Sequence, residues 1–78
     1  MELLVVDHKD EPWGATIDWE TWRFTRVDKK QFNRHGVKVG WRIVRINGES
    51  VRDYPENKQV LLAGEECQII VQVTLQLL

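Results

Sequence analysis

Asp7-His8-Lys9-Asp10-Glu11 places an imidazole among carboxylates, the ligand types that hold a divalent metal. A closed zinc site takes three or four such ligands converging from separate segments, and no second His or Cys cluster completes this one. Cys67 would serve as a nucleophile only beside a base held by a third group, and neither His8 nor His35 has that context in the sequence. His35 precedes Gly36 at a helix end, where an imidazole favours the helix dipole. There is no nucleophile elbow, no phosphate-binding P-loop and no pair of carboxylates on opposing elements. These absences point away from an enzyme, and no catalytic residue, metal or cofactor is expected. Trp13, Trp19 and Trp22 could stack bases, but all three lie on or beside one hairpin, where packing explains them, so no nucleic-acid partner is expected.

A chain of 78 residues supports one core and one domain, 1–78, expected to be a piece of a larger protein. No apolar run approaches the roughly 20 residues that span a bilayer, and MELLVV lacks the form of a secretory leader. The single cysteine excludes an internal disulfide, reads as a small buried hydrophobe, and favours a reducing, cytoplasmic location. The net charge of −1 is unevenly spread: residues 23–52 carry nine basic against two acidic side chains, +7, between flanks of −5 and −3. Such a basic middle can contact an anionic membrane or phosphates, although mutual neutralisation of the three segments on folding is the plainer expectation.

The apolar pattern divides the chain into short elements. LLVVDH (3–8) reads as a strand ended by KDEP. WGATIDW (13–19) alternates, with Ala15, Ile17 and Trp19 on one face, and Glu20-Thr21 is a turn to WRFTRV (22–27). Trp19 and Trp22 are placed to pair across this hairpin. DKKQFNRHG (28–36) reads as a short helix capped by Asp28, anchored by Phe32 and ended by Gly36. WRIVRI (41–46) is a strand whose core residues Ile43 and Ile46 are three apart, which implies a twist or a bulge rather than strict alternation. Asn47-Gly48 is a hairpin turn leading to ESV (49–51). PENKQVLLAG (55–64) is a second helix with proline in its first turn, and CQIIVQVTLQLL (67–78) a long closing strand. Five or six strands and two helices make a small α+β domain with a mostly antiparallel sheet.

Residues 36–51, GVKVGWRIVRINGESV, hold no reactive group yet are densely patterned. Gly36-Val37-Lys38-Val39-Gly40-Trp41-Arg42-Ile43-Val44-Arg45-Ile46-Asn47-Gly48 resembles the stretch that joins the first helix to the fourth strand in PDZ domains, and the order of elements matches over nearly the whole chain. The resemblance implies a PDZ-like, partly open antiparallel β-barrel or sandwich of five to six strands capped by two short helices. It also implies a scaffold-type protein-interaction module that takes the C-terminal tail of a partner as an added strand beside the second helix.

Carried over residue by residue, the resemblance puts the carboxylate of the tail against the N–H groups of Trp13, Gly14 and Ala15, with Lys9 as a nearby cation. Thr16, Ile17 and Asp18 would be the pairing strand, with Glu56 and Val60 lining the groove from the helix. Glu56 implies a hydroxyl or basic side chain two before the last residue of the tail. Three features depart from the family. Pro12 stands where a glycine is usual, the segment from Asn47-Gly48 to the end of the second helix is about three residues short, and Trp41 replaces an aspartate, either covering the core edge or standing as an exposed anchor. These departures, with the apolar final strand, sustain an alternative: a structural or self-associating domain with a degenerate groove, able to form a homodimer by strand pairing.

Overall fold

A computed structural model describes residues 2–74. Six strands form one antiparallel sheet: β1 (Leu3–His8), β2 (Ala15–Asp18), β3 (Arg23–Val27), β4 (Arg42–Ile46), β5 (Glu49–Ser50) and β6 (Cys67–Gln72). Their spatial order is β1-β6-β4-β3-β2, with β5 pairing off β4. The α-helices are α1 (Gln31–Arg34) and α2 (Lys58–Leu62), the latter preceded by a 3-10 turn over Pro55–Asn57. The small α+β architecture expected from the pattern is the one observed, and the final residues of the expected last strand, 75–78, lie outside the described residues.

Alternation sets which faces meet. Val6 and His8 of β1, Ile17 of β2, Phe24 of β3, Ile43 and Ile46 of β4, and Ile69 and Val71 of β6 all turn inward. Phe32 of α1 and Leu61 of α2 close the core from the helices, each fully buried. Burial of one such side chain contributes about 1.5–3 kcal/mol. The step of three between Ile43 and Ile46 is absorbed by a register shift between Ile43 and Arg45, so both isoleucines face the core. Asn47 and Gly48 have φ of 52° and 81°, the left-handed pair of a two-residue hairpin turn joining Ile46 to Glu49. Trp41 covers the core edge: it packs against the buried cluster, and its Nε1 donates to Thr74 O at 3.1 Å. Cys67 is a free, buried thiol directly opposite His8.

The helices depart from expectation. Asp28 does not cap α1; Lys30 is the N-cap residue and no side chain bonds there. The Asp28 N–H instead continues the β2–β3 ladder to Gly14 O, and its carboxylate accepts from Arg26 Nε at 3.0 Å. That strand bond holds Asp28 back from the helix start, and α1 is a single turn ended by Gly36 at φ 86°. The second helix covers five residues rather than ten, because Pro55 opens a 3-10 turn before α2. The hairpin turn spans residues 19–22, and Trp22 enters it at φ 62°, a conformation costly for a side chain with a Cβ. Its N–H donates to Asp18 O at 2.6 Å, and its ring packs edge-on to Trp19 at 5.1 Å.

Candidate functional site

The loop between β1 and β2 is shaped from beneath by α1. Gln31 is 1% exposed, and its amide is saturated. Oε1 accepts from Lys9 N at 2.6 Å, while Nε2 donates to Lys9 O at 3.1 Å and to Glu11 O at 3.2 Å. Pro12 O and Trp13 O accept from the N–H groups of Gln31 and Phe32, which lack partners within the helix at its first turn. The loop carbonyls are thus drawn inward. Among the described residues, the N–H groups of Trp13 and Gly14 meet no acceptor.

Gly14 sits at φ 66°, and a Cβ there would collide with Cβ and Cγ of Lys30. Both features restrict the position to glycine. The lysine stem packed on the loop is therefore that of Lys30. Lys9 has its main chain fixed by Gln31, and the residue is exposed. Trp13 is half-buried, edge-on to His8, Trp19 and Phe32 at centroid separations of 5.6, 6.4 and 6.2 Å. Pro12 and Ala15 flank this pair of residues, Pro12 exposed and Ala15 half-buried.

From this loop β2 runs out as an edge. Ile17 points into the core, Thr16 and Asp18 point outward, and β3 is its only pairing partner among the described residues. A bulge between Thr16 and Ile17 shifts the register from Arg26 to Phe24. α2 lies alongside. At its C-terminal end, a Cβ on Gly64 would stand 3.0 Å from Asp10 Oδ1 in the loop before β2. At its start, Lys58 Nζ lies 5.9 Å from the ring centroid of Trp19, just after β2. Val60 is partly buried against the core, and Glu56 is exposed in the 3-10 turn ahead of α2. Of the nine residues singled out from the sequence, those at 13–18 are contiguous along the loop and strand. Lys9 joins them through Gln31, and Val60 stands on the neighbouring helix.

His8 ends β1 beneath the loop, 1% exposed. Its ring is edge-on to Trp13 and tilted at 38° to Phe32, 5.7 Å away. Nδ1 lies 3.4 Å from Glu65 O; a carbonyl only accepts, so Nδ1 carries the proton. Nε2 is buried and has no partner among the described residues. Desolvation lowers its pKa below 6.5, against smaller upward pulls from Glu65 O and the Asp10 charge. Burial, aided by the Glu65 charge, pushes the Cys67 thiol up, which keeps it protonated and unreactive.

Gln31 and Lys30 were not evident as parts of this site, because nothing in a polar run such as DKKQ marks which residue turns inward. A cleft of about 250 Å3 lies under the loop, lined by Pro12, Lys30 and Gln31 among others, and one of about 700 Å3 lies elsewhere; none of the nine residues lines either. No described helix is long and apolar enough to cross a membrane. The chain matches no protein-family model and is similar to none of the curated proteins.

Proposed function

We propose that the chain is a PDZ-like interaction module that binds the C-terminal tail of a partner by strand addition to β2. In this reading the six strands form the partly open barrel of that family. The observation that carries it is the pairing of an open β2 edge with two unmatched N–H groups, those of Trp13 and Gly14, at its head. A terminal carboxylate accepts from successive N–H groups of this kind, as an anion does in a backbone nest. With its carboxylate there, the tail runs antiparallel to β2 and α2 forms the opposite wall. Main-chain bonds along four or five residues correspond to affinity of about 1 μM, roughly −8 kcal/mol. Lys30 and the exposed Lys9 supply positive charge near the carboxylate, and Glu56 favours a hydroxyl or basic side chain two before the last residue. The function is binding rather than catalysis, and the reduced thiol of Cys67 suits a cytoplasmic setting.

The test is a panel of peptides with free C-termini, each repeated as its C-terminal amide. Loss of binding on amidation is the expected result; equal binding of acids and amides overturns the reading.

A second reading, a self-associating domain with a degenerate groove, is favoured by β1. Leu3 and Val5 on this edge strand are 57% and 53% exposed, an apolar face suited to a second copy. Sedimentation over a concentration series distinguishes it, since tail binding alone predicts a monomer.

A further inference from the structure

The larger cleft, about 700 Å3, lies where the turn after β2 meets β4 and β5. Its walls include Trp19 and Trp22, the hydroxyl residues Thr21 and Ser50, and three arginines, Arg23, Arg42 and Arg52, against the single carboxylate of Glu20. Arg23 and Arg42 are direct partners across β3 and β4. Phe24 N donates to Trp41 O and Ile43 N to Trp22 O, so the two arginines form a non-hydrogen-bonded pair, the arrangement that brings facing side chains closest. Like charges in that position repel. Among the described residues the ion pairs are Arg26 with Asp28 and Arg34 with Glu11, so no carboxylate neutralises any of the three. Arg23 spends one donor on Gly40 O and Arg42 one on Gln72 Oε1. Arg42 Nε is buried and has no partner among the described residues. A guanidinium carries five donors in a rigid fork, so each of these arginines keeps donors that no described residue takes.

We propose that this cleft is a binding site for a phosphate-bearing ligand. A phosphate group set between Arg23 and Arg42 accepts N–H bonds from the terminal guanidinium nitrogens of both and removes their repulsion. Arg52 and the hydroxyls of Thr21 and Ser50 take further oxygens, and the indoles form the apolar wall. The phosphate can belong to a free phosphorylated polyol or to a lipid headgroup, since both offer the same chemistry. The site is separate from the β2 edge, so it stands whether or not that edge binds tails.

The experiment is titration of the whole chain, followed by Trp fluorescence, with two probes. One is soluble inositol trisphosphate; the other is phosphatidylcholine vesicles containing a few mole percent phosphatidylinositol bisphosphate, with phosphatidylserine vesicles of matched charge as control. Arg52→Gln, at an exposed position that folding tolerates, and Arg23→Gln are each expected to weaken binding about tenfold or more. Arg45→Gln, which removes the same charge outside the cleft, is expected to change it less than about twofold. Binding of the soluble probe with this pattern indicates a free phosphorylated compound. Binding of the bisphosphate vesicles alone, with this pattern, indicates a headgroup. No binding to either probe, equal loss in all three variants, or equal binding to phosphatidylserine vesicles overturns the proposal.

Discussion

β1 and β2 stand at opposite ends of the sheet, each hydrogen-bonded on one side only among the described residues, and they are built in opposite ways. β1 is six residues long, pairs with β6 in unbroken register and carries exposed Leu3 and Val5. β2 is four residues long, pairs with β3 across a register shift whose extra residue, Thr25, lies on β3, and shows polar Thr16 and Asp18 on its outer face. Shortness and polar side chains are how an edge avoids unselective pairing. What distinguishes β2 further is its head. The loop between the two strands is held from below by Gln31, with carbonyls turned in, and the N–H groups it leaves over among the described residues, those of Trp13 and Gly14, stand at the start of β2 rather than at the end of β1. A strand is admitted selectively at an edge where its end can be recognised; along the other edge only apolar contact and ladder bonds act.

The largest expected effect breaks the head of β2. Gly14→Ala must hold a left-handed φ and push a methyl into the stem of Lys30, costing about 3–4 kcal/mol of stability. Tail binding should vanish with it. Gly36→Ala, at φ 86° with nothing within 4 Å of the new methyl, should cost only about 1–2 kcal/mol and leave tail binding intact. Urea unfolding and peptide titration of both variants check the contrast; equal effects on binding would mean that the loop has no special part in it. Next comes Gln31→Ala, which strands the N–H of Lys9 and the carbonyls of Lys9 and Glu11. About 2–3 kcal/mol should be lost. Hydrogen exchange should quicken in residues 9–14 while the β1–β6 amides are far less affected.

The contrast between edges was only half legible in the sequence. β1 appears with its exact bounds because LLVVDH is apolar and sharply ended, and Asn47-Gly48 reads directly because both residues tolerate positive φ. The spacing of Ile43 and Ile46 points to a twist or a bulge in β4, and the register shift between Ile43 and Arg45 makes it a bulge. The loop support was hidden, since whether Gln31 turns inward depends on where α1 starts, and that is decided by a strand bond from Asp28 to Gly14, fourteen residues away in the chain. The pairing of Arg23 with Arg42, and of His8 with Cys67, is a matter of register between distant strands. No local pattern contains it. Trp22 at positive φ was equally invisible, because an aromatic residue is a poor candidate for that conformation unless burial of its ring, 6% exposed, compensates.

A smaller effect sharpens the comparison from the β1 side. Val5→Lys places a charge on the exposed face of the regular edge, with stability expected to shift by no more than about 0.5 kcal/mol. Tail binding should be unchanged, and any self-association seen by sedimentation should be abolished. If Val5→Lys instead weakens tail binding as strongly as Gly14→Ala does, the tail uses the wrong edge and the β2 assignment fails.

The smallest expected effect concerns His8, which belongs to both regions, ending β1 and lying under the head of β2. Its folded pKa is depressed below 6.5, chiefly by desolvation. As pH falls through 6.5 the unfolded chain therefore takes up the proton first. Stability is fully present above 6.5 and declines as pH falls toward the folded pKa, below which this contribution levels off. His8→Phe keeps a ring between Trp13 and Phe32 and removes the titrating group, so the difference in urea midpoint between wild type and variant should change with pH only below neutrality. The Asp10 charge pulls the other way, holding the His8 pKa up in part. Asp10→Asn removes that pull, depresses the folded pKa further and should extend the decline to lower pH. A wild-type profile that parallels that of His8→Phe would show that the imidazole ionises as readily folded as unfolded, and that the ring packed under Trp13 is open to water.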